Sequence, residues 1–356
     1  MCTHRNPLHC ILPPYMTDKL RYKTGNTDSK ADYQFKDKRK LLATIAPAKK
    51  RNSMATTGVK PASNIYRELY DAGQMPLALG KLIWKEEQRI PADKDAKNVV
   101  NGAGNVWSFY KKLFNRSSLD NHGLPLIQTI RYRDNPQEPF YNAFWDGEQM
   151  FYGTGDPRFT NSFTTDLDVI SHELTHGVID FEAQLAYEFQ SGALNESFAD
   201  VFGSMVKQWV HKTPARKADW LIGSNVLKGK NALWSMKAPG TAFKNDTIFG
   251  DDPQPATMKD FIHSPNTEDG DYGGVHINSG IPNYAFYVAS YEINGNAWEK
   301  AGPVWYAALT DKKVLHKKSS FEDAATATLK KATAQFGKNS LEAKGIEKGW
   351  REAGVI

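Results

Sequence analysis

The pentad His172-Glu173-Leu174-Thr175-His176 constrains this chain more than any other stretch. In an α-helix, residues four apart stand one above the other. His172 and His176 therefore project from one face, at a spacing that lets both bind one metal ion. Glu173, one step round the helix, faces the metal's open position, where it can take a proton from a water. Leu167, Ile170, Leu174, Val178 and Phe181 recur at helical spacing and predict a core-facing stripe. Thr165-x-x-Asp168 has the form of a capping box at the start of this helix.

A catalytic zinc takes three protein ligands and keeps a fourth position open. Glu196 is the candidate third ligand, in Asn195-Glu196-Ser197-Phe198-Ala199-Asp200. A second predicted helix carries this stretch on Leu194, Phe198, Val201, Phe202, Met205 and Trp209. Glu196 and Asp200 share a face. Glu196 can reach the metal, and Asp200 can accept the free ring N–H of a ligand histidine. Singly, each would be an ordinary exposed acid; beside the pentad they complete a zinc site. Negative charge that develops during hydrolysis needs donors aimed at it. Tyr187 and His276 are candidates, and Asp271 can hold His276 in its cationic form.

The 356 residues allow two domains, or one large domain with an appendage. The net charge of +5 is concentrated between Lys36 and Arg51, which argues against a nucleic-acid surface. Two cysteines, Cys2 and Cys10, leave the main body without a disulfide framework. No apolar run is long enough to cross a membrane, and no membrane partner is expected. The N-terminus lacks the apolar core of a conventional signal peptide, so secretion by a non-classical route or a cytoplasmic location is expected. A monomer is expected.

Residues 1–52 differ from the rest. Leu12-Pro13-Pro14-Tyr15 precedes a lysine-rich polar run ending in Lys49-Lys50-Arg51-Asn52-Ser53. This composition predicts a short pro-segment and linker, cut between Lys50 and Met54; a disordered basic tail is the plainer alternative. A helix is predicted over Asn98–Phe114 and strands over Leu126–Tyr132, Phe140–Trp145 and Glu148–Tyr152, with Asp146-Gly147 as a hairpin turn. From Asp166 onward helical patterns dominate, including one helix from Ser279 and two or three between Gly302 and Trp350. The Gly/Pro/Asp-rich stretch 238–275 is too long for a simple connector.

Four stretches together resemble the thermolysin-like metallopeptidases: Tyr141-Asn142-Ala143-Phe144-Trp145, the pentad, Ser191 to Glu196 with Asp200, and Gly274-Val275-His276-Ile277-Asn278-Ser279-Gly280. They run in family order over roughly residues 56–356, and Pro13-Pro14 in a short pro-segment resembles the protealysin-like branch. The resemblance implies an α+β, two-lobed fold: a β-rich lobe over 53–185, a helical lobe over 186–356, and a zinc cleft between them. It implies one catalytic zinc on His172, His176 and Glu196. Glu173 would be the general base that later passes its proton to the leaving amine. Tyr187 and His276 would stabilise the oxyanion, with Asp271 orienting His276, and Asn195 and Asp200 would support the ligand histidines. Asn142 and the backbone of Ala143 would hold the substrate as an added strand. The implied activity is a neutral endopeptidase acting on peptides or proteins, cutting before bulky apolar residues and latent until its pro-segment is removed.

Two departures qualify this reading. Trp234 stands where the family usually has a substrate-binding arginine, which predicts weaker substrate binding, altered specificity, or both; Lys230 and Lys237 are the nearby cations. Lys207, Leu221 and Ser224 occupy positions that are acidic in relatives with paired calcium ions, although Asp168 and Asp219 remain. That calcium site is expected to be absent, with Lys207 replacing the cation's charge. Latency has two readings. Pro13, Pro14 and Tyr15 can fill the cleft, or Cys10 can place a thiolate on the zinc. The alternative function is a weakly active or inactive zinc-binding homologue that recognises peptides or a protein partner. A zinc aminopeptidase is a third reading, without a motif to anchor a substrate amino terminus.

Overall fold

The computed structural model describes residues 9–24 and 64–356. The basic run from Lys36 to Arg51 and the expected cleavage neighbourhood lie outside these residues. Among the described residues, no helix is long and apolar enough to cross a membrane.

The described residues begin with a short strand, β1 (His9–Cys10), and a helix, α1 (Pro14–Lys23). Pro14 occupies the first turn, where its fixed φ suits the helix and its missing N–H costs nothing. Then follow β2 (Arg67–Asp71), β3 (Lys81–Lys85), α2 (Lys94–Phe114), β4 (Leu126–Ile130), β5 (Ala143–Trp145) and β6 (Met150–Tyr152). The six strands form one mixed sheet in the order β1-β5-β6-β4-β2-β3. At the Asp146-Gly147 turn, Asp146 accepts the backbone N–H groups of Glu148 and Gln149 at 2.8 Å, and Gly147 takes a φ of 98°. β5 and β6 consequently pair antiparallel.

Side chains alternate across a sheet. Ala143, Trp145, Met150 and Tyr152 enter the main core, while Phe144 and Phe151 face the other way and cluster with Tyr132 and Phe140. Tyr132 and Phe140, expected inside strands, lie just outside the ladder but keep this aromatic contact.

The helical half opens with α3 (Leu167–Phe181) and α4 (Phe189–His211), both largely buried. The expected capping box at α3 does not form. The residue preceding the helix is Asp166, whose carboxylate accepts the backbone and side-chain N–H groups of Asn225, and Asp168 accepts from Lys207. A tertiary partner, Lys207, thus takes up Asp168, the acid that the local pattern assigned to a cap. Gly203 of α4 lies against α3: a Cβ there would stand 2.7 Å from the Asp168 carbonyl oxygen. That close approach brings α4 within reach of the histidines.

A two-stranded ribbon, β7 (Leu221–Ile222) with β8 (Trp234–Ser235), follows α4. The segment before the helix predicted from Ser279 is itself a short helix, α5 (Asp271–Asn278), interrupted by left-handed Tyr272, Gly273 and Gly274. α6 (Gly280–Ile293), α7 (Ala301–Leu309), α8 (Phe321–Phe336) and α9 (Leu341–Glu352) complete the chain. The halves are therefore sheet-rich first and helical second.

Candidate active site

α3 presents His172, Glu173 and His176 in fully buried positions, and α4 brings Glu196, Asn195 and Asp200 against them. His172 Nδ1 lies 2.8 Å from Asp200 Oδ1, and His176 Nδ1 lies 2.9 Å from Asn195 Oδ1. Asn195 Nδ2 donates to the Leu185 carbonyl at 3.1 Å, which fixes the oxygen of that amide toward His176. With both Nδ1 atoms donating, both Nε2 atoms carry bare lone pairs. Those two atoms stand 3.0 Å apart. Glu196 closes the set, its carboxylate oxygens 3.3 Å from His172 Nε2 and 3.6 Å from His176 Nε2. Burial opposes the charged form of Glu196, but His276 and the two histidines outweigh it and hold the carboxyl well below its usual range. Two lone pairs and an anion converging on one buried point suit a cation, and the N/N/O donor set suits zinc.

Glu173 is buried beside this point, and neither of its oxygens makes a close hydrogen bond. Burial raises its carboxyl well above the usual range, which suits a proton acceptor. Across the cleft, the Tyr187 hydroxyl donates to Glu196 and lies 3.0 Å from His276 Nε2. Asp271 grips His276 twice, accepting its backbone N–H at 2.8 Å and standing 2.5 Å from its Nδ1. Burial works against the imidazolium, but Asp271 and Glu196 outweigh it and raise its pKa to about 9. Asp271 and Tyr272 adopt left-handed φ values of 53° and 49°, strain of the kind that active-site loops hold to aim a side chain.

Residues 17–180 match the thermolysin metallopeptidase catalytic domain, and residues 183–355 match the thermolysin metallopeptidase alpha-helical domain. The chain belongs to the thermolysin metallopeptidase family. It is 39% identical to an extracellular metalloprotease of Pectobacterium carotovorum subsp. carotovorum, over 98% of this chain and 97% of that protein. It is also 39% identical to protease PrtS of Photorhabdus sp. (strain Az29), over 97% and 91%. Among solved structures it is similar to the precursor of protealysin, a metalloproteinase from Serratia proteamaculans. The TM-score is 0.82 at 38% identity, covering 98% of this chain and 100% of that one. This thermolysin-family chain is thus a zinc metalloprotease, a hydrolase of peptide bonds.

In this thermolysin-family cleft the expected peptide-binding edge already holds the chain's own N-terminal segment. β1 adds to β5, pairing His9 with Trp145 and Cys10 with Phe144. Ile11 donates its N–H to the Ala143 carbonyl at 3.2 Å. Asn142 accepts from the Leu12 N–H at 2.9 Å and donates to the Leu12 carbonyl at 3.1 Å. His276 Nε2 lies 2.7 Å from the Cys10 carbonyl oxygen, so an expected oxyanion donor holds a peptide carbonyl. Ile11, Leu12, Met16 and Leu20 are buried in the main core. Pro13 caps α1 and Pro14 starts it, and Tyr15 lines a cavity together with Asp271 and Ile277.

Directly opposed residues in an antiparallel pair point to the same face. Cys10 therefore shares the outer face with Phe144 and packs against the aromatic cluster. The thiolate ligand of the second latency reading is not at the metal position. His9, on the inner face with Trp145, is there instead, stacked on His176 with ring centroids 4.2 Å apart. Of these two adjacent residues, the register of β1 on β5 decides which one meets the metal position.

Trp234 departs from its expected substrate contact. It is 3% exposed, and its single N–H donates to Asp200 at 3.0 Å, behind His172. Asn283, which nothing in the sequence singled out, donates to the same Asp200 oxygen at 2.7 Å. Lys230 does not supply the missing charge, since it pairs with Asp246 at 2.5 Å. Lys207 sits where the calcium argument pointed: its ammonium lies 3.0 Å from both Asp168 and Asp219 and 3.1 Å from the Leu221 carbonyl. Burial works against this ammonium, but the two aspartates outweigh it and raise its pKa.

Proposed function

We propose that this chain is a zinc endopeptidase that cuts before bulky apolar residues and is held latent by its own N-terminal segment. The observation that carries this reading is the Cys10–Ile11 peptide, with its carbonyl on His276, its Ile11 N–H on Ala143, and the Ile11 side chain fully buried. A substrate bound the same way places an apolar side chain just after the bond to be cut.

His172, His176 and Glu196 would hold the zinc, which would supply Lewis-acid chemistry at the carbonyl and the attacking water. Asp200 and Asn195 keep the ligand histidines in the tautomer that leaves Nε2 free. Glu173 takes the proton from the attacking water and passes it to the leaving amine. His276, kept cationic by Asp271, and Tyr187 stabilise the oxyanion. In the latent form Tyr187 donates to Glu196, so this hydroxyl exchanges partners when substrate replaces the segment.

Removal of residues 1–52 frees the cleft, leaving lobes of 53–185 and 186–356. Lys207 stands in for calcium. The names of the similar proteins support action outside the cell, and the chain works as a monomer. Trp234 was the feature favouring an inactive homologue; its bond to Asp200 gives it a supporting role at the metal instead.

Incubating the chain freed of residues 1–52 with a peptide mixture tests the reading. Zinc-dependent internal cleavage before Leu, Ile and Phe is expected. Release of single N-terminal residues would favour an aminopeptidase, and no cleavage by a zinc-loaded chain would favour a binding protein.

A further inference from the structure

His9 is 2% exposed, and neither ring nitrogen has a hydrogen-bond partner. A buried imidazole needs at least one partner. The ring stacks on His176 and meets Tyr187 edge-on with centroids 4.7 Å apart. Ligand atoms of His9, His176 and Glu196 lie within 4.8 Å of one another. His9 Nε2 faces Asp180 Oδ1 at 3.6 Å, which repeats in looser form the carboxylate behind His172. Asp180 is itself fixed by the Trp145 indole N–H at 3.2 Å.

We propose that in the latent chain His9 is a fourth metal ligand, through Nδ1, and occupies the position that a water needs for hydrolysis. The inference rests on the zinc-site reading above. It accounts for a peptide, Cys10–Ile11, that lies in the cleft as a substrate would, its carbonyl on His276 and its N–H on Ala143. With an imidazole on the open position, no water is placed to attack that bond. Parallel rings cannot aim two in-plane lone pairs at one ion, so metal loading turns His9 out of its stack on His176. The device is a histidine switch, with Cys10 excluded by the register of β1.

The full-length Glu173→Ala chain, which cannot process itself, is the material for the test. X-ray absorption of the zinc-loaded protein should count three imidazoles, against two in the His9→Ala variant and in the chain freed of its pro-segment. Cobalt(II) loading should give a visible spectrum that changes with His9→Ala, is restored by added imidazole, and is unmoved by Cys10→Ser. Zinc loss to a chelator should be at least on the order of tenfold faster in His9→Ala. Two imidazoles in both the intact and the pro-segment-free chains would overturn the proposal while leaving the zinc site standing. A near-ultraviolet cobalt–thiolate band lost in Cys10→Ser would overturn it in favour of the cysteine. If no form binds one metal per chain, the zinc-site reading fails with it.

Discussion

Trp234 donates to Asp200, and Asp200 in turn holds His172. Trp234→Phe keeps an aromatic side chain and deletes the donor, at the cost of a smaller ring in the core, so it tests this chain of contacts. Zinc affinity should fall about 10- to 100-fold in a chelator competition. Unchanged affinity would mean that Asn283 alone suffices to hold Asp200. Lys207 makes a second residue-scale case. Lys207→Met leaves Asp168 buried without its cation and should cost about 3 kcal/mol in denaturant unfolding, the low end for a broken buried pair because the lysine is partly exposed. Calcium should leave the melting temperature of the unsubstituted chain unchanged; a rise on titration would show that the ammonium has not replaced the ion. At this scale the sequence was informative wherever chemistry fixes spacing, as for His172, Glu173, His176, Glu196 and Asp200. It was silent on His9, because the choice between His9 and Cys10 depends on which face of β1 each occupies.

Among the elements, α2, α3, α4 and the β5–β6 hairpin are legible, since long apolar periodicity and an Asp-Gly turn are strong local signals. β2 and β3 were not anticipated. β3 is a mostly exposed edge strand with lysines at both ends, which carries no alternating apolar pattern. α5 was not anticipated, because it begins within the Gly/Pro/Asp-rich stretch and its glycines take left-handed conformations that no helical pattern predicts. Asp168 was assigned to a capping box with Thr165, and Lys207 claimed it instead. One ion pair gives these elements a pH signature. Arg131 bonds Asp71, at the end of β2, through two nitrogens at 3.0 and 2.7 Å and, as the largest influence, lowers its pKa from 3.8. A depressed carboxyl stabilises the fold above its unfolded pKa and loses that contribution as pH falls through the folded value. The melting temperature of Asp71→Asn should therefore lie below that of the unsubstituted chain near neutral pH, and the gap should close in acid below about 3.8. The effect is small because the pair is partly exposed. A gap that widens in acid would contradict the sign.

At the scale of the whole molecule, the sheet edge, the two ligand-bearing helices and the α5 loop all meet at the cleft that β1 occupies. The likeness to a metalloproteinase precursor extends over almost the whole chain, including this first segment. The two-lobed architecture follows from the resemblance and from the shift of pattern near Asp166. The docking of residues 9–24 does not, because it depends on long-range contacts: Asn142 lies 130 positions from Leu12, and His276 lies 266 from Cys10. Under the function proposed above, such a chain carries its own first substrate analogue, and its activity would begin when that segment leaves. Intact mass followed over time, for the zinc-loaded full-length chain beside its Glu173→Ala variant, tests this most directly. The unsubstituted chain should lose about fifty N-terminal residues while the variant stays whole. If both stay whole, and the chain freed of residues 1–52 also cleaves no peptide, the molecule is not the self-activating peptidase described here.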